Sequence, residues 1–171
     1  MAGSLKSNVL LGLAGGLAAT AAMNAYWMAV GKLKPDLGPS TDEENTTERV
    51  ARRILRRVGV KRPSSRTRAV GGEMVHWSYG ASWGLAVGLA RSAGVRLDWG
   101  GGQLLGAGMF ALGDEWMTYQ LGLAKHPREV PLKYHASALG AHLVYGLGMW
   151  AAVESLGKLQ PPRRRRLRRA A

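Results

Sequence analysis

The stretch SNVLLGLAGGLAATAAMNAYWMAVG, residues 7–31, contains no charged side chain. A helix on the surface of a soluble protein keeps polar side chains along one face, whereas this stretch is apolar all round. About 20 apolar residues suffice for an α-helix to cross the hydrocarbon core of a bilayer. The stretch therefore predicts a membrane span over about residues 7–30.

Three later stretches show the same segregation of charge, although the mean hydropathy of the whole chain is only −0.11. They predict further spans over about residues 73–90, 99–120 and 134–156. Acidic residues interrupt the third of these at Asp114 and Glu115. A length of 171 residues corresponds to one domain. The sequence thus predicts an all-α, multi-pass transmembrane helical bundle with four spans, occupying residues 1–160.

Two other interpretations of the spans stay open. Lys6 precedes an apolar run and Ala19-Thr20-Ala21 resembles a cleavage site, as in a signal peptide, but the run continues to Val30. Alternatively, residues 99–120 are re-entrant, which leaves three spans and puts both basic blocks in the cytoplasm.

Four spans place both termini on one side of the membrane. That side carries 10 Lys and Arg residues and the other carries 14. The positive-inside rule therefore gives no clear orientation. We expect both termini to be cytoplasmic.

An internal repeat relates the two halves of the chain. The sequences Trp-Met, Gly and Pro-x3-Pro occur in the same order at the ends of the first and third spans. The first series is at Trp27, Gly31, Pro35 and Pro39. The second series is at Trp116, Gly122, Pro127 and Pro131. His-x-x-Tyr-Gly then occurs at His76 and again at His142. Two hairpins arranged as parallel repeats would explain this order.

Small residues spaced by four mark the expected helix contacts. They occur in the second span at Gly80, Gly84 and Gly88, and in the third at Gly102 and Gly106. Such stripes let helix backbones approach closely within lipid. They are compatible with a tight bundle and with a homo-oligomer.

Ionisable residues within spans are costly and usually face the bundle interior. The hypothesis for this chain is one intramembrane polar site formed by His76, Tyr79, Asp114, Glu115, His142 and Tyr145, with His135 two turns before His142 on one face. The site is interpreted as a proton relay, a divalent-metal or bis-histidine haem site, or a set of structural ties between helices. No cofactor is predicted, and whether a metal binds is left open.

Basic segments flank the predicted spans. The extramembrane loop, residues 32–72, contains a predicted helix over Thr47–Gly59 that either lies on anionic lipid or covers the loop ends as a solvated helix. The tail, residues 161–171, has no means of forming a core and is predicted to be disordered. The formal net charge of +13 indicates an anionic partner. Lipid headgroups are favoured over nucleic acid, because no aromatic residues interleave the arginines.

The chain resembles the YagU-like family of bacterial inner-membrane proteins, which is defined by a domain of unknown function. The matching residues are Gly12-Leu13-Ala14-Gly15, His76-x-x-Tyr79, Trp99-x-Gly101-x-x-Leu104-x-Gly106 and Gly140-Ala141-His142-Leu143-Val144-Tyr145-Gly146. The long basic loop after the first span departs from that family. The resemblance implies a bacterial inner-membrane location and supplies no reaction, substrate or catalytic residue.

The expected function is non-enzymatic: a structural, stress-related or ion-handling role in the bacterial inner membrane. No catalytic motif is present, and the lack of cysteine excludes disulfides and thiolate chemistry. A small proton or ion transporter, or an oligomeric channel, is the first alternative. A membrane metalloprotein using His76 and His142 is the second.

The uncharged stretches generate a first prediction. The protein should sediment with membranes and stay in the pellet after alkaline carbonate extraction, because its apolar helices have no wet face. Immunoblotting of pellet and supernatant measures this. Recovery in the soluble fraction at normal expression would contradict membrane insertion.

Overall fold

The computed structural model describes residues 4–37, 44–97 and 99–158, which form helices and no strand. The all-α prediction is confirmed. The α-helices are α1 (Leu5–Leu33), α2 (Thr46–Arg57), α3 (Ser65–Ser92), α4 (Gln103–Met109), α5 (Thr118–Gln120) and α6 (Leu132–Lys158). The basic tail and Pro39 of the repeat lie outside the described residues.

A π-helical segment, Phe110–Met117, joins α4 to α5. The three pieces form one continuous helix, residues 103–120, called here the third helix. It begins four residues later than the sequence predicts, because Gly100, Gly101 and Gly102 have φ angles of 61°, 65° and 82°. Glycine adopts this left-handed conformation readily, so the chain turns here before the helix starts.

α3 is longer than its predicted span at the N-terminal end. It begins at Ser65, where the Ser64 side chain accepts a hydrogen bond from the Thr67 amide. Its 28 residues extend for about 42 Å, more than a bilayer core requires. The first two turns of α3 are therefore free to pack against α2.

α1 crosses α3 in antiparallel direction with the two backbones in contact. A Cβ atom on Gly16 would lie 2.6 Å from the Gly80 carbonyl oxygen, and one on Gly88 would lie 2.5 Å from the Asn8 carbonyl oxygen. A Cβ atom on Gly84 would overlap the carbonyl oxygen of Gly12. Only glycine fits at these positions, as the spacing predicts.

The third helix and α6 form a second close crossing. A Cβ atom on Gly102 would overlap the Gly146 carbonyl oxygen, and one on Gly106 would overlap the carbonyl oxygen of His142. In both halves of the chain, the glycine of the His-x-x-Tyr-Gly sequence thus lies against a glycine of the preceding long helix.

α1 also packs against α6 and so lies at the centre of the bundle. A Cβ atom on Gly15 would meet the side chains of Met149 and Val153, and one on Gly148 would meet Ala19. α3 and α6 both run antiparallel to α1. The start of α1 and the end of α6 consequently lie at the same end of the bundle, as an even number of crossings requires.

The bundle core combines small, polar and large apolar side chains, and Met109, Tyr145 and Met149 are buried in it. Asn8, Thr20 and Ser137 are buried. Leu10 is 67% exposed and Leu104 is 65% exposed. Leucines on the outer surface, together with glycine contacts between helices, are typical of helices that pack within lipid.

Two helices in the described part of the chain, α1 and α6, are long and apolar enough to cross a membrane. α3 and the third helix are not, so the prediction of four spans goes further than this measure supports. The reason lies in their composition. The uncharged part of α3 is rich in glycine, serine and tryptophan and contains His76, and the third helix contains Asp114 and Glu115.

α2 covers the end of the bundle where α3 begins. Its Ala51 is buried, and the Cβ of this residue would lie only 2.9 Å from a Cβ on Gly71. Arg53 donates to the carbonyl oxygens of Leu121 and Gly122, at 2.7 and 3.0 Å. These carbonyls follow the end of the third helix, so the basic helix covers a loop end, which was one of its two predicted roles.

The glycine crossings generate the second prediction. Gly84→Ala should lower stability by about 1–3 kcal/mol, because the new methyl group forces α1 and α3 apart. Gly108→Ala is the matched control, since no atom lies within 4 Å of a Cβ at that position. The control should be neutral or should stabilise the protein by up to about 1 kcal/mol. Thermal unfolding in detergent measures both, and equal effects would mean that the α1–α3 crossing is not close.

Candidate functional site: two histidine–carboxylate contacts

The π-helical segment carries both acidic residues of the third helix. π-helical turns inside α-helices are rare and occur frequently at functional sites. The hydroxyl of Thr118, the first residue after the segment, donates to the Asp114 carbonyl oxygen. A Cβ atom on Gly113 would lie 2.5 Å from the Tyr79 hydroxyl, so a glycine here admits the phenol of α3. The segment therefore brings the third helix and α3 together beside the carboxylates.

Asp114 faces His142 of α6. The distance between Asp114 Oδ2 and His142 Nε2 is 3.8 Å. His142 is buried, and its Nδ1 lies 2.9 Å from the Ala138 carbonyl oxygen. A carbonyl only accepts, so Nδ1 must carry a proton. Nε2 is then the nitrogen that can gain or lose one, and it is the nitrogen that faces Asp114.

His76 of α3 lies beside this pair. It interacts electrostatically with Glu73 and, more weakly, with His142 and Asp114. Its Nε2 is buried and has no hydrogen-bond partner in the described part of the chain. Leaving a buried polar atom without a partner costs about 1–3 kcal/mol. Such an atom is a candidate position for a proton or a bound group.

Two tyrosines border the cluster. The Tyr145 hydroxyl is buried and donates to the Gly80 carbonyl oxygen at 2.6 Å, which ties α6 to α3. Tyr79 packs edge-on against Trp83, with ring centroids 6.3 Å apart. The structure thus brings together His76, Tyr79, Asp114 and His142, and places Tyr145 next to them as a tie between helices.

Glu115 belongs to a different contact. Its Oε1 lies 2.6 Å from His135 Nδ1, and His135 Nε2 faces the carbonyl oxygens of Pro127 and Val130 at 3.0 and 3.1 Å. The hypothesis that Asp114 and Glu115 converge on one site is therefore wrong. Adjacent residues of a helix point in different directions, so each carboxylate meets a different histidine of α6.

The remaining ion pairs lie at the two ends of the bundle. At the end covered by α2, the Lys133 ammonium donates to Asp36 Oδ2 at 3.0 Å and holds the pKa of this carboxyl below its ordinary value. At the opposite end, Arg91 Nη1 lies 3.7 Å from Glu154 Oε1. Glu154 therefore takes no part in the polar cluster.

The described residues contain no group of three or more His, Cys, Asp or Glu side chains arranged to hold a metal ion. His76, His142 and Asp114 are near one another but do not form such a group. The metalloprotein alternative stays a prediction.

Comparison of the chain with family models, with curated proteins and with solved structures finds no match. The resemblance to the YagU-like family therefore stays a prediction.

The separation of the two carboxylates generates the third prediction. Double-mutant cycles should give coupling energies above about 0.5 kcal/mol for Glu115→Gln with His135→Gln and for Asp114→Asn with His142→Gln, because groups in contact share an interaction. The crossed pairs, Glu115 with His142 and Asp114 with His135, are the controls and should be additive. Thermal stability in detergent measures all four cycles. Equal coupling in direct and crossed pairs would contradict two separate contacts.

Proposed function

We propose that this chain is an integral membrane protein with four crossings and that its polar cluster takes up and releases protons. Two of the crossings are the apolar helices α1 and α6. α3 and the third helix accompany them through contacts made backbone to backbone at glycine. Residues with short or no side chains suit helix association in lipid, where apolar burial gives no driving force between helices.

The observation that carries the proposal is the unpartnered Nε2 of His76 beside Asp114 and His142. Imidazole changes its charge near neutral pH, and a carboxylate stabilises the protonated ring. A histidine nitrogen with a purely structural role would face a carbonyl, as His142 Nδ1 faces the Ala138 carbonyl oxygen of its own helix. His76 Nε2 faces no such group among the described residues.

Asp114 lies at the surface of the helix bundle, and His142 lies in its interior. The Asp114 side chain is 44% exposed, whereas that of His142 is 6% exposed. We expect a proton on Asp114 to pass to His142 Nε2, 3.8 Å away, and from there towards His76. The transfer moves one proton between acid and base groups and requires no oxidant, reductant or cofactor.

The same proposal includes the location of the protein. A bacterial inner membrane agrees with the resemblance to the YagU-like proteins, and a net charge of +13 agrees with contact to anionic headgroups. Proton handling of this kind is a non-enzymatic role. Assembly into a homo-oligomer is compatible with it.

A structural role for the cluster is the second candidate. Hydrogen bonds from Tyr145 to the Gly80 carbonyl oxygen and from Tyr26 to the Ser137 carbonyl oxygen favour it, since both join different helices. Under this alternative, the histidines only help to hold α3, α6 and the third helix in place.

Proton movement through reconstituted vesicles tests the proposal. The purified protein should carry protons along an imposed potential, read by a pH-sensitive dye inside the vesicles. His76→Gln and Asp114→Asn should each lower the rate at least about tenfold, since general acid–base groups contribute about 10²–10⁴-fold to proton transfer.

His126→Gln is the matched control, because His126 lies outside the cluster and accepts from the Arg128 amide. It should leave the rate unchanged. Tyr145→Phe should lower thermal stability and keep proton movement. Rates equal to those of protein-free vesicles, or an unchanged rate in His76→Gln, would favour the structural role instead.

A further inference from the structure

Five cations are exposed where α2 ends and α3 begins. They are Arg56, Arg57, Lys61, Arg62 and Arg66, called here the basic rim. Within residues 44–97 and the other described ranges, no side chain of the rim forms a hydrogen bond or an ion pair. The neighbouring arginines differ: Arg52 and Arg68 both pair with Glu44, at 2.9 and 2.6 Å. The rim therefore has unused capacity for an anion.

An apolar groove between α2 and α3 adjoins the rim. It is lined by Leu55, Arg66, Thr67, Val70, Gly71 and Met74. Val70 is 56% exposed and Met74 is 66% exposed. Since Ala51 packs directly on Gly71, the two helices are close at the floor of the groove and leave its outer side open. Two further apolar side chains, Ile54 of α2 and Val58 directly after it, are also exposed.

Along α3, the groove begins at a charged residue and continues with apolar residues. Arg66, Val70 and Met74 are spaced by four and so share one face of the helix. The direction from Arg66 to Met74 leads towards the glycine crossing at Gly80. This face therefore begins with a cation outside the bundle and continues for about 12 Å over apolar side chains towards the part of α3 that packs on α1.

We propose that this surface binds an anionic phospholipid, with the phosphate on the basic rim and an acyl chain along the groove. A lipid in the leaflet has its charge outermost and its chains directed inward, which is the order found along α3. Zwitterionic phospholipids carry no net charge and would gain little from five unpaired cations. The inference rests on the membrane location proposed above and does not depend on the proton-handling cluster.

Lipid titration of the full-length protein in a neutral detergent tests the proposal. Phosphatidylglycerol should raise the melting temperature in a saturable manner, because a ligand that binds only the folded state stabilises it. Phosphatidylcholine with the same chains should have a much smaller effect. Inorganic phosphate should have none, since it cannot occupy the groove.

Two variants separate the phosphate contact from the chain contact. Arg66→Gln should weaken phosphatidylglycerol binding about fivefold, as expected for one basic residue near an anionic headgroup. Val70→Gln should weaken it while the rim keeps its charge. The matched control is Lys125→Gln, which removes one exposed charge at the same end of the bundle outside the groove.

Three results would overturn the proposal. Equal losses in Arg66→Gln and Lys125→Gln would indicate diffuse attraction of charge rather than a site. A shift produced by inorganic phosphate alone would indicate a simple anion site. Equal shifts in melting temperature for the two phospholipids would show that the basic rim does not select an anionic headgroup. None of these results bears on proton movement, which is measured separately on His76→Gln.

Discussion

The contact between the backbones of α1 and α3 is the constraint on which the remaining structure depends. Gly12 and Gly16 meet Gly80 and Gly84 so closely that one added methyl group would overlap a carbonyl oxygen. This approach fixes the depth of α3 beside α1. It thereby sets His76 at the level where α6 presents His142 and the third helix presents Asp114. The position of the polar cluster thus depends on glycine contacts that lie outside the cluster itself.

Much of the helical arrangement could be predicted from the sequence, because uncharged stretches and glycine spacing are properties of short segments. Those patterns predicted four long helices and the close crossings at Gly80, Gly84 and Gly106. The start of the third helix could not be predicted in the same way. Apolar composition continues through Trp99, and only the left-handed conformation of the three following glycines delays the helix. Likewise, charge in the first turns of α3 concealed its extension to Ser65.

The sequence predicts which ionisable residues belong to the candidate site but not which of them contact each other. His76, Asp114 and His142 were recognisable as ionisable residues within apolar stretches. The direction of each side chain depends on the π-helical segment, and no short sequence pattern distinguishes such a segment from an ordinary helix. The sequence therefore predicts Glu115 in the same site as Asp114, whereas in the structure Glu115 faces His135. The spacing of seven between His135 and His142 was the available signal that α6 offers two separate positions.

The hydrogen bonds from α2 to the end of the third helix have a consequence for biogenesis. Arg49 and Arg53 donate to carbonyl oxygens of residues 121–123, about 70 residues later in the chain. When α2 leaves the ribosome, its acceptors have not yet been synthesised. The basic helix can therefore form these hydrogen bonds only after the second half of the protein has been synthesised. These hydrogen bonds from α2 are complete only when the two halves of the chain have come together.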